Sequence, residues 1–244
     1  MDLGLWATWY DMDEENKTAY LEWAHRIYLP YLRVMPGVSW VAHYANEGGG
    51  PRMDDLIKNV VGRTDADIGH GSQFVILVGA VSPHTFFNPY IPDVVWPDGF
   101  QKMIDMQLGR RSAILVEAHR VTGPDGGNVH VGGPPGPYIQ MGSFCMSNVE
   151  KDFEIGKWYA QHRLPYMAQM PGCIATRKYV GVAGWAKHAI LYEFTSAEAR
   201  LKRFEVDHET HDLDAETWHT NVIPFTRHTP GSPVIGPRLW PPIG

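Results

Sequence analysis

The chain has 244 residues, of which 44% are hydrophobic, enough for two domains of ordinary size with buried cores. Its formal net charge of -6 comes with few runs of one sign, which argues against nucleic acid or an anionic membrane surface as a partner. The amino terminus lacks the basic and apolar regions of a signal peptide, and no apolar stretch approaches a membrane span. The two cysteines make no disulfide framework, and the whole composition favours a cytoplasmic protein.

The first half of the chain alternates between strand and helix patterns. A strand-like alternation is followed by acidic residues suited to a helix start, and Pro36-Gly37 ends the helix. Tyr20, Trp23, Ile27 and Tyr31 are predicted to form the buried stripe of this helix. The predicted elements are a strand at 3–10, a helix to residue 35, strands at 38–44 and 73–81, a helix at 98–108 and a strand at 112–121.

Residues 45–71 form an insertion between two predicted strands. It contains the turn signal Gly48-Gly49-Gly50-Pro51 and a short helical pattern at 54–61. The second half of the chain connects the corresponding strands through about seven residues. An insertion of this length is predicted to serve as a lid or pocket wall, the alternative being a loop without function.

The second half repeats the first at an offset of 135 positions. Glu15, Trp23, Pro30, Tyr31, Met35, Pro36, Gly37 and Tyr44 recur as Glu150, Trp158, Pro165, Tyr166, Met170, Pro171, Gly172 and Tyr179. No gap is needed between residues 3 and 44, and the shared Met-Pro-Gly turn makes a chance match improbable. The chain is therefore predicted to be a tandem duplication.

Each copy has the element order βαββαβ, which is typical of a ferredoxin-like unit. Such a unit carries helices on one face of its sheet only, so the other face needs a cover, and the second copy can supply it. We predict an α+β fold in which two ferredoxin-like units form an α+β barrel. The predicted boundaries are 1–122 for the first repeat, 123–137 for a linker and 138–244 for the second repeat, whose last strand lies at about 219–227. The proline-rich tail from residue 229 is expected to wrap over the neighbouring copy or a partner subunit.

The second-copy helix resembles that of the dimeric α/β-barrel superfamily, most closely its EthD-like branch. The resemblance lies in a Trp-Tyr-x-x-His-x-x-Pro pattern followed by Pro-Gly and a strand, matched here by Trp158, Tyr159, His162, Pro165, Pro171 and Gly172. The first copy departs from the pattern, since it has Trp23-Ala24 and Ile27 where Tyr and His are expected. The resemblance implies a fold whose members include cofactor-free monooxygenases, isomerases, cyclases, dehydratases, lyases and haem enzymes, so it does not fix the chemistry.

His162 is the leading catalytic candidate. An imidazole with a pKa near about 6.5 can take and return a proton at neutral pH. The sister position has Ile27, which makes a purely structural role for the imidazole a weaker explanation. Tyr159 is a second catalytic candidate, and Trp158 and Tyr166 are predicted to bind the substrate, although each aromatic ring is equally compatible with the core.

The remaining candidates are less specific. His70 between glycines and Arg52 in the insertion are predicted to reach a substrate carboxylate if the loop closes. His208, His211 and Asp212 have ligand chemistry for a metal, but their polar surroundings favour a solvated loop, so no metal site is predicted. His43, His119 and His188 lie on predicted strands whose faces the sequence does not fix. The sequence has no dinucleotide-binding glycine motif and no Gly-x-Ser-x-Gly elbow.

Three functional hypotheses remain open at this point. The first is a cofactor-independent lyase, isomerase or dehydratase that uses His162 as general acid and base on a small aromatic or polyketide-like compound, in a pocket between the Trp158 helix and the second-copy sheet. The second is a monooxygenase or haem-binding protein of the same fold. The third is a non-catalytic small-molecule-binding module. A homodimer is compatible with each of them.

Overall fold

The computed structural model describes residues 2–59, 62–90, 93–127, 132–206 and 222–243, except for the side chain of Arg52. The strands are β1 (Gly4–Asp11), β2 (Val38–Ala45), β3 (Gly62–Arg63), β4 (Phe74–Ala80), β5 (Leu108–Thr122), β6 (Tyr138–Met146), β7 (Cys173–Gly184), β8 (His188–Phe194), β9 (Thr226–His228) and β10 (Val234–Trp240). The α-helices are α1 (Glu14–Trp23), α2 (Leu29–Arg33), α3 (Pro51–Asn59), α4 (Phe100–Ile104), α5 (Val149–Trp158), α6 (Leu164–Met167) and α7 (Ala197–Ala199). Three π-helical segments, Ala24–Tyr28, Tyr159–Arg163 and Arg200–Val206, continue α1, α5 and α7.

Eight strands close into one antiparallel barrel in the order β10-β2-β4-β1-β5-β7-β8-β6, and a pairing of β10 with β6 completes the ring. The first copy supplies β2, β4, β1 and β5, in the strand order of a ferredoxin-like sheet. The second copy supplies β7, β8, β6 and β10. The last strand of each copy also pairs with the second strand of the other, β5 with β7 and β10 with β2. The predicted fold of two ferredoxin-like units forming an α+β barrel is confirmed.

The duplicated pattern is visible in matching element boundaries. Helix α1 and its π-helical extension span 14–28, and α5 with its extension spans 149–163, so both are displaced by the sequence offset of 135. Ser82 and Ser196 cap the following helical turns, since their side chains accept hydrogen bonds from backbone N–H groups of those turns. The domain boundaries at 122 and 138 stay a prediction.

The proline-rich tail contains a strand that the sequence analysis did not predict. The strand predicted at about 219–227 is β9, which is short, begins at Thr226 and lies beside one end of β6. The strand that closes the barrel is β10, within the tail, where Val234 pairs with Met141 and Arg238 with Tyr44. Val234 and Ile235 are fully buried on opposite faces of the barrel wall, which is why the barrel depends on this segment.

The barrel wall separates an interior core from two outer cores. Alternation along β1 places Leu5, Ala7 and Trp9 in the interior, while Trp6 and Tyr10 face the helices of the first copy. The second copy repeats this arrangement around α5 and β8. Both outer faces of the barrel are therefore covered by helices, and the space between helices and wall is where a cavity can form.

The long helix of each copy contains a π-helical turn just before a proline. Pro30 and Pro165 lack an N–H group and their rings crowd the preceding turn, so an unbroken α-helix is unfavourable at these positions. A π-turn bonds residue i to i+5 and shifts the helix face by one position. As a result Tyr28 and Arg163 turn inward, with 5% and 3% of their surface exposed. The residues before them, Ile27 and His162, turn outward.

Candidate functional site

A cavity of about 520 Å³ lies between the first-copy helices and the outer face of the barrel wall. Its walls combine aromatic rings with polar side chains. The lining residues are Trp6, Thr8, Tyr28, Phe87, Tyr90, Trp96, Gln101, Ile104, Gln107, Arg110, Arg111, Ser112, Ala113, Ile114, Ala183 and Gly184. Because Ala183 and Gly184 belong to β7, this first-copy cavity is complete only when the two copies form the barrel.

The aromatic wall of the first-copy cavity is a set of contacting rings. Tyr28 and Trp96 meet edge to face with centroids 5.8 Å apart, and Phe87 and Tyr90 stack at 6.2 Å. Trp6 packs against Phe86 behind this wall. Such rings offer a flat, apolar surface to a planar ligand.

Polar side chains also line the same cavity. The hydroxyls of Thr8 and Ser112 lie 2.8 Å apart on neighbouring strands. Gln107 donates through its Nε2 to the Tyr20 hydroxyl at 2.6 Å. Arg110 is exposed at the cavity wall and favours the ionised forms of Tyr20 and Tyr28. The cavity can therefore bind a planar molecule by its rings and orient its oxygen atoms by hydrogen bonds.

Arg111 borders this cavity, but its side chain belongs to the barrel interior. Its guanidinium stacks 3.9 Å from the centroid of the Trp9 ring and donates through Nη2 to the Pro230 carbonyl at 3.1 Å. Burial lowers the pKa of Arg111 to about 9. Arg110, one residue earlier, is the exposed guanidinium of the wall.

Behind the cavity lies a cluster of buried tyrosines. Burial raises the pKa of Tyr20 to about 12, although hydrogen bonds from Gln107 and Tyr10 partly oppose the shift. Burial also raises the pKa of Tyr28 and of Tyr10 above the ordinary range, and neighbouring tyrosines add to both shifts. All three hydroxyls are therefore protonated at neutral pH and can donate a hydrogen bond.

A smaller cavity of about 90 Å³ occupies the matching place in the second copy. It lies between the Trp158 helix and the second-copy sheet, where the sequence placed the pocket, but it is too small for an ordinary small-molecule ligand. Trp158 and Tyr159 line it, as do Met53, Leu56 and Ile57 of α3. The 45–71 insertion thus borders the second-copy cavity, while its action as a lid stays a prediction.

Of the predicted site residues whose side chains the structure describes, it brings together only Trp158 and Tyr159. Both are buried at the second-copy cavity. His162 and Tyr166 are exposed on the same helix and line neither cavity. The inward position next to Trp158 is taken by Arg163, whose guanidinium lies 4.7 Å from the centroid of the Trp158 ring. A catalytic role for His162 stays a prediction.

The other predicted residues lie apart from both cavities or outside the described part of the chain. His70 is exposed and lines neither cavity. The side chain of Arg52 and all of His208, His211 and Asp212 lie outside the described residues. Within the residues that are described, no cluster of three His, Cys, Asp or Glu side chains has the geometry of a metal site. None of the described helices is long and apolar enough to cross a membrane.

The first-copy site was not predicted from the sequence, because the prediction was based on the His162 imidazole and did not include the π-helical turn. Tyr28 and Arg163 are sister positions, and a proline two residues later in both copies was the available signal for a shifted helix face. Gln107 directly precedes β5, and Arg110 and Ser112 lie near its start. Nothing in the local sequence pattern marks these residues as lining a cavity. Their grouping depends on the pairing of β5 with β1 and β7.

Comparison with known proteins supports the fold. No protein-family model matches the chain, and no curated protein is significantly similar to it. A Fusobacterium nucleatum protein named as a putative monooxygenase superposes with a TM-score of 0.58 at 10% identity, covering 97% of this chain and 93% of its own. An anthrone oxidase-like protein superposes with a TM-score of 0.53 at 13% identity, covering 90% and 82% respectively. At these identities the similarity establishes the α+β barrel fold alone, and membership of the EthD-like branch stays a prediction.

Proposed function

We propose that this protein is a cofactor-independent enzyme that binds a small aromatic compound in the first-copy cavity and transfers a proton to or from it. The proposal rests on a cavity of about 520 Å³ that is lined both by aromatic rings and by polar side chains. That volume lies within the range of roughly 300–1,000 Å³ found for small-molecule sites. The proposal moves the site from the second copy, where the sequence suggested it, to the first.

The polar wall supports chemistry at an oxygen-bearing ring. Tyr28 lines the cavity and stays protonated, so its hydroxyl can donate to a substrate carbonyl or phenolate. Arg110 can stabilise negative charge that develops on the same oxygen. Loss of a substrate proton to water, with stabilisation of the resulting enolate or phenolate by Tyr28 and Arg110, is a step common to isomerases, dehydratases and lyases.

A monooxygenase is the second candidate, favoured by the names of two structural neighbours, a putative monooxygenase and an anthrone oxidase-like protein. Proton removal from an electron-rich ring also makes the ring more reactive towards molecular oxygen, so the same cavity can serve both reactions. Measured oxygen uptake with a bound phenol distinguishes them. Among the described residues, no His, Cys or Met lines the first-copy cavity, and the second-copy cavity of about 90 Å³ is too small for a haem.

The binding part of the proposal is tested with 2-naphthol, a planar phenol, by isothermal titration calorimetry. Ala183 is half-buried on the cavity wall beside Ile114, so Ala183→Trp places an indole in the cavity. We expect wild type to bind 2-naphthol and Ala183→Trp to bind at least roughly tenfold more weakly, a change of about 1.4 kcal/mol.

The matched control is Ile57→Trp, which adds an indole at the second-copy cavity. This variant should bind 2-naphthol like wild type. Weakening by Ile57→Trp with no effect of Ala183→Trp would return the site to the second copy. No binding of 2-naphthol to any of the three proteins would contradict the proposed ligand class.

A further inference from the structure

The barrel interior holds two buried guanidinium groups that each lie against a tryptophan. Arg177 on β7 and Arg111 on β5 have 1% and 7% of their surface exposed. The Arg177 guanidinium carbon lies 5.5 Å from the centroid of the Trp40 ring, and that of Arg111 lies 3.9 Å from the centroid of the Trp9 ring. Both indole rings belong to the interior core. The two places therefore share a buried cation and a buried indole.

At Arg177, a carboxylate of the chain joins the cation and the indole. Asp2 Oδ2 accepts from Trp40 Nε1 at 2.7 Å and from Arg177 Nη1 at 3.0 Å. Glu193 supplies a second carboxylate, whose Oε1 accepts from Arg177 Nε at 2.6 Å. Although burial lowers the pKa of Arg177, these carboxylates, Glu193 foremost, raise it above its ordinary value. An anion that accepts from both a guanidinium and an indole N–H thus neutralises this buried arginine.

At Arg111, no carboxylate of the described residues takes this place. Arg111 Nη2 donates to the Pro230 carbonyl at 3.1 Å, which is a neutral partner. Arg111 Nε, Arg111 Nη1 and Trp9 Nε1 are buried and have no hydrogen-bond partner within the described part of the chain. Burial lowers the pKa of Arg111 to about 9, with no opposing contribution from a described acidic group. Three donor nitrogens and one positive charge therefore lie together without an acceptor or a counter-charge from these residues.

The chemistry of such a place favours an anion as its ligand. A charge in a protein interior is unfavourable unless an opposite charge and hydrogen bonds compensate for it. The Trp9 ring attracts the cation through its face, but its own N–H is a donor and adds to the need for an acceptor. A water molecule satisfies a donor but leaves the charge uncompensated. An anion provides both the acceptor and the charge, as Asp2 does for Arg177.

The surroundings of Arg111 favour a small ion over a larger organic acid. Arg111 pairs with Trp9 near the end of β1, whereas Asp2 lies two residues before that strand begins. The chain is tightly packed next to Pro230, since a Cβ on Gly231 would lie 2.1 Å from the Ser72 Cβ. The three donor nitrogens are themselves closed off from solvent.

We propose that Arg111 and Trp9 bind a small monovalent anion such as chloride inside the barrel, where it accepts from the Arg111 guanidinium and from the Trp9 indole N–H. The anion makes for Arg111 the contacts that Asp2 makes for Arg177. The inference is independent of the proposed function, because it concerns the barrel interior and not the first-copy cavity. An anion that binds only the folded chain stabilises it by an amount that grows with the anion concentration.

Bromide locates the site, because it replaces chloride and scatters X-rays anomalously. In a crystal of the wild-type protein grown in sodium bromide, we expect an anomalous peak within hydrogen-bond distance of an Arg111 guanidinium nitrogen and of Trp9 Nε1. Density for water at this position, with no anomalous signal, overturns the proposal.

A chloride titration of the melting temperature tests binding in solution, with sodium gluconate, a larger anion, holding the ionic strength constant. The wild-type melting temperature should rise by roughly 3–6 °C by the time chloride reaches about ten times its Kd. Arg111→Met removes the charge and keeps a long side chain, so this variant should show no such rise. The matched control is Arg110→Met, which removes the exposed guanidinium one residue earlier and should keep the wild-type rise.

An equal rise in wild type and Arg111→Met, or no rise in wild type, overturns the proposal. A bromide peak without a chloride-dependent melting temperature would mean an adventitious ion only and overturns it as well. If Arg111→Met does not fold, Trp9→Phe takes its place, because it keeps an aromatic ring and removes one donor. This variant should bind chloride roughly threefold or more weakly than wild type, and equal affinity overturns the proposal.

Discussion

Ile235→Ala tests whether the proline-rich tail is part of the barrel. The Ile235 side chain is fully buried in the second-copy core. Its backbone N–H donates to Asn46 Oδ1 at 2.9 Å, and its carbonyl accepts from the Glu47 N–H at 2.7 Å. The substitution keeps these backbone bonds and removes only buried side-chain atoms, so the loss can be estimated from packing.

Truncating a buried isoleucine to alanine costs about 2–5 kcal/mol of unfolding free energy, because burial is lost and a cavity is left. For a chain of this length each kcal/mol lowers the melting temperature by roughly 2–4 °C, so a loss of about 3 kcal/mol gives roughly 6–12 °C. Urea denaturation and a thermal melt both measure the change.

The matched control is Ile243→Ala, in the same tail but with 56% of its surface exposed. It should change the unfolding free energy by less than about 0.5 kcal/mol. If both substitutions had equally small effects, the tail would lie over the surface and would not be part of the barrel.

Gly79→Ala should destabilise the protein by about 1–3 kcal/mol, because a Cβ there would lie 2.0 Å from the buried indole of Trp40. Gly156→Ala should stabilise the protein by about 0.5–1 kcal/mol, because this glycine lies in a helix with open space around it. Urea denaturation measures both changes. The unfolding free energy should fall as the pH is lowered from about 6.5 towards 4, because of His43 and His228. In the folded protein, burial lowers the pKa of His43 and lowers that of His228 to about 3. In the unfolded chain both side chains take up a proton at about pH 6.5, so acid favours unfolding. A stability that rises on acidification would contradict this. His162→Ile should leave folding and 2-naphthol affinity unchanged, since the side chain is exposed; a loss of turnover in this variant would support the catalytic role predicted from the sequence.

The fold was predictable because its signals are local and occur twice. The Met-Pro-Gly turn and the Trp, Pro and Tyr positions of the helix recur at one offset, and they determine strand, helix and strand in each copy. The closing strand was missed because Gly236 and Pro237 break the alternation that marks a strand. Gly236 is needed there because a Cβ would lie 2.2 Å from the Ala45 carbonyl.

The site was less predictable than the fold because it depends on a shift of one residue and on long-range pairing. The π-turn before Pro165 exchanges His162 for Arg163 on the inner face, and an α-helical period cannot reveal that exchange. The contact between Tyr10 and His43 joins residues on β1 and β2, which are separated in the barrel by β4. Sequence alone leaves the faces of such strands open.

The most direct test of the central claim is the position of 2-naphthol in a crystal of the wild-type protein. We expect density for the naphthol ring against Trp96 and Tyr28, with its hydroxyl towards Gln107. Density in the second-copy cavity beside Trp158, or against His162 on the surface, would contradict it.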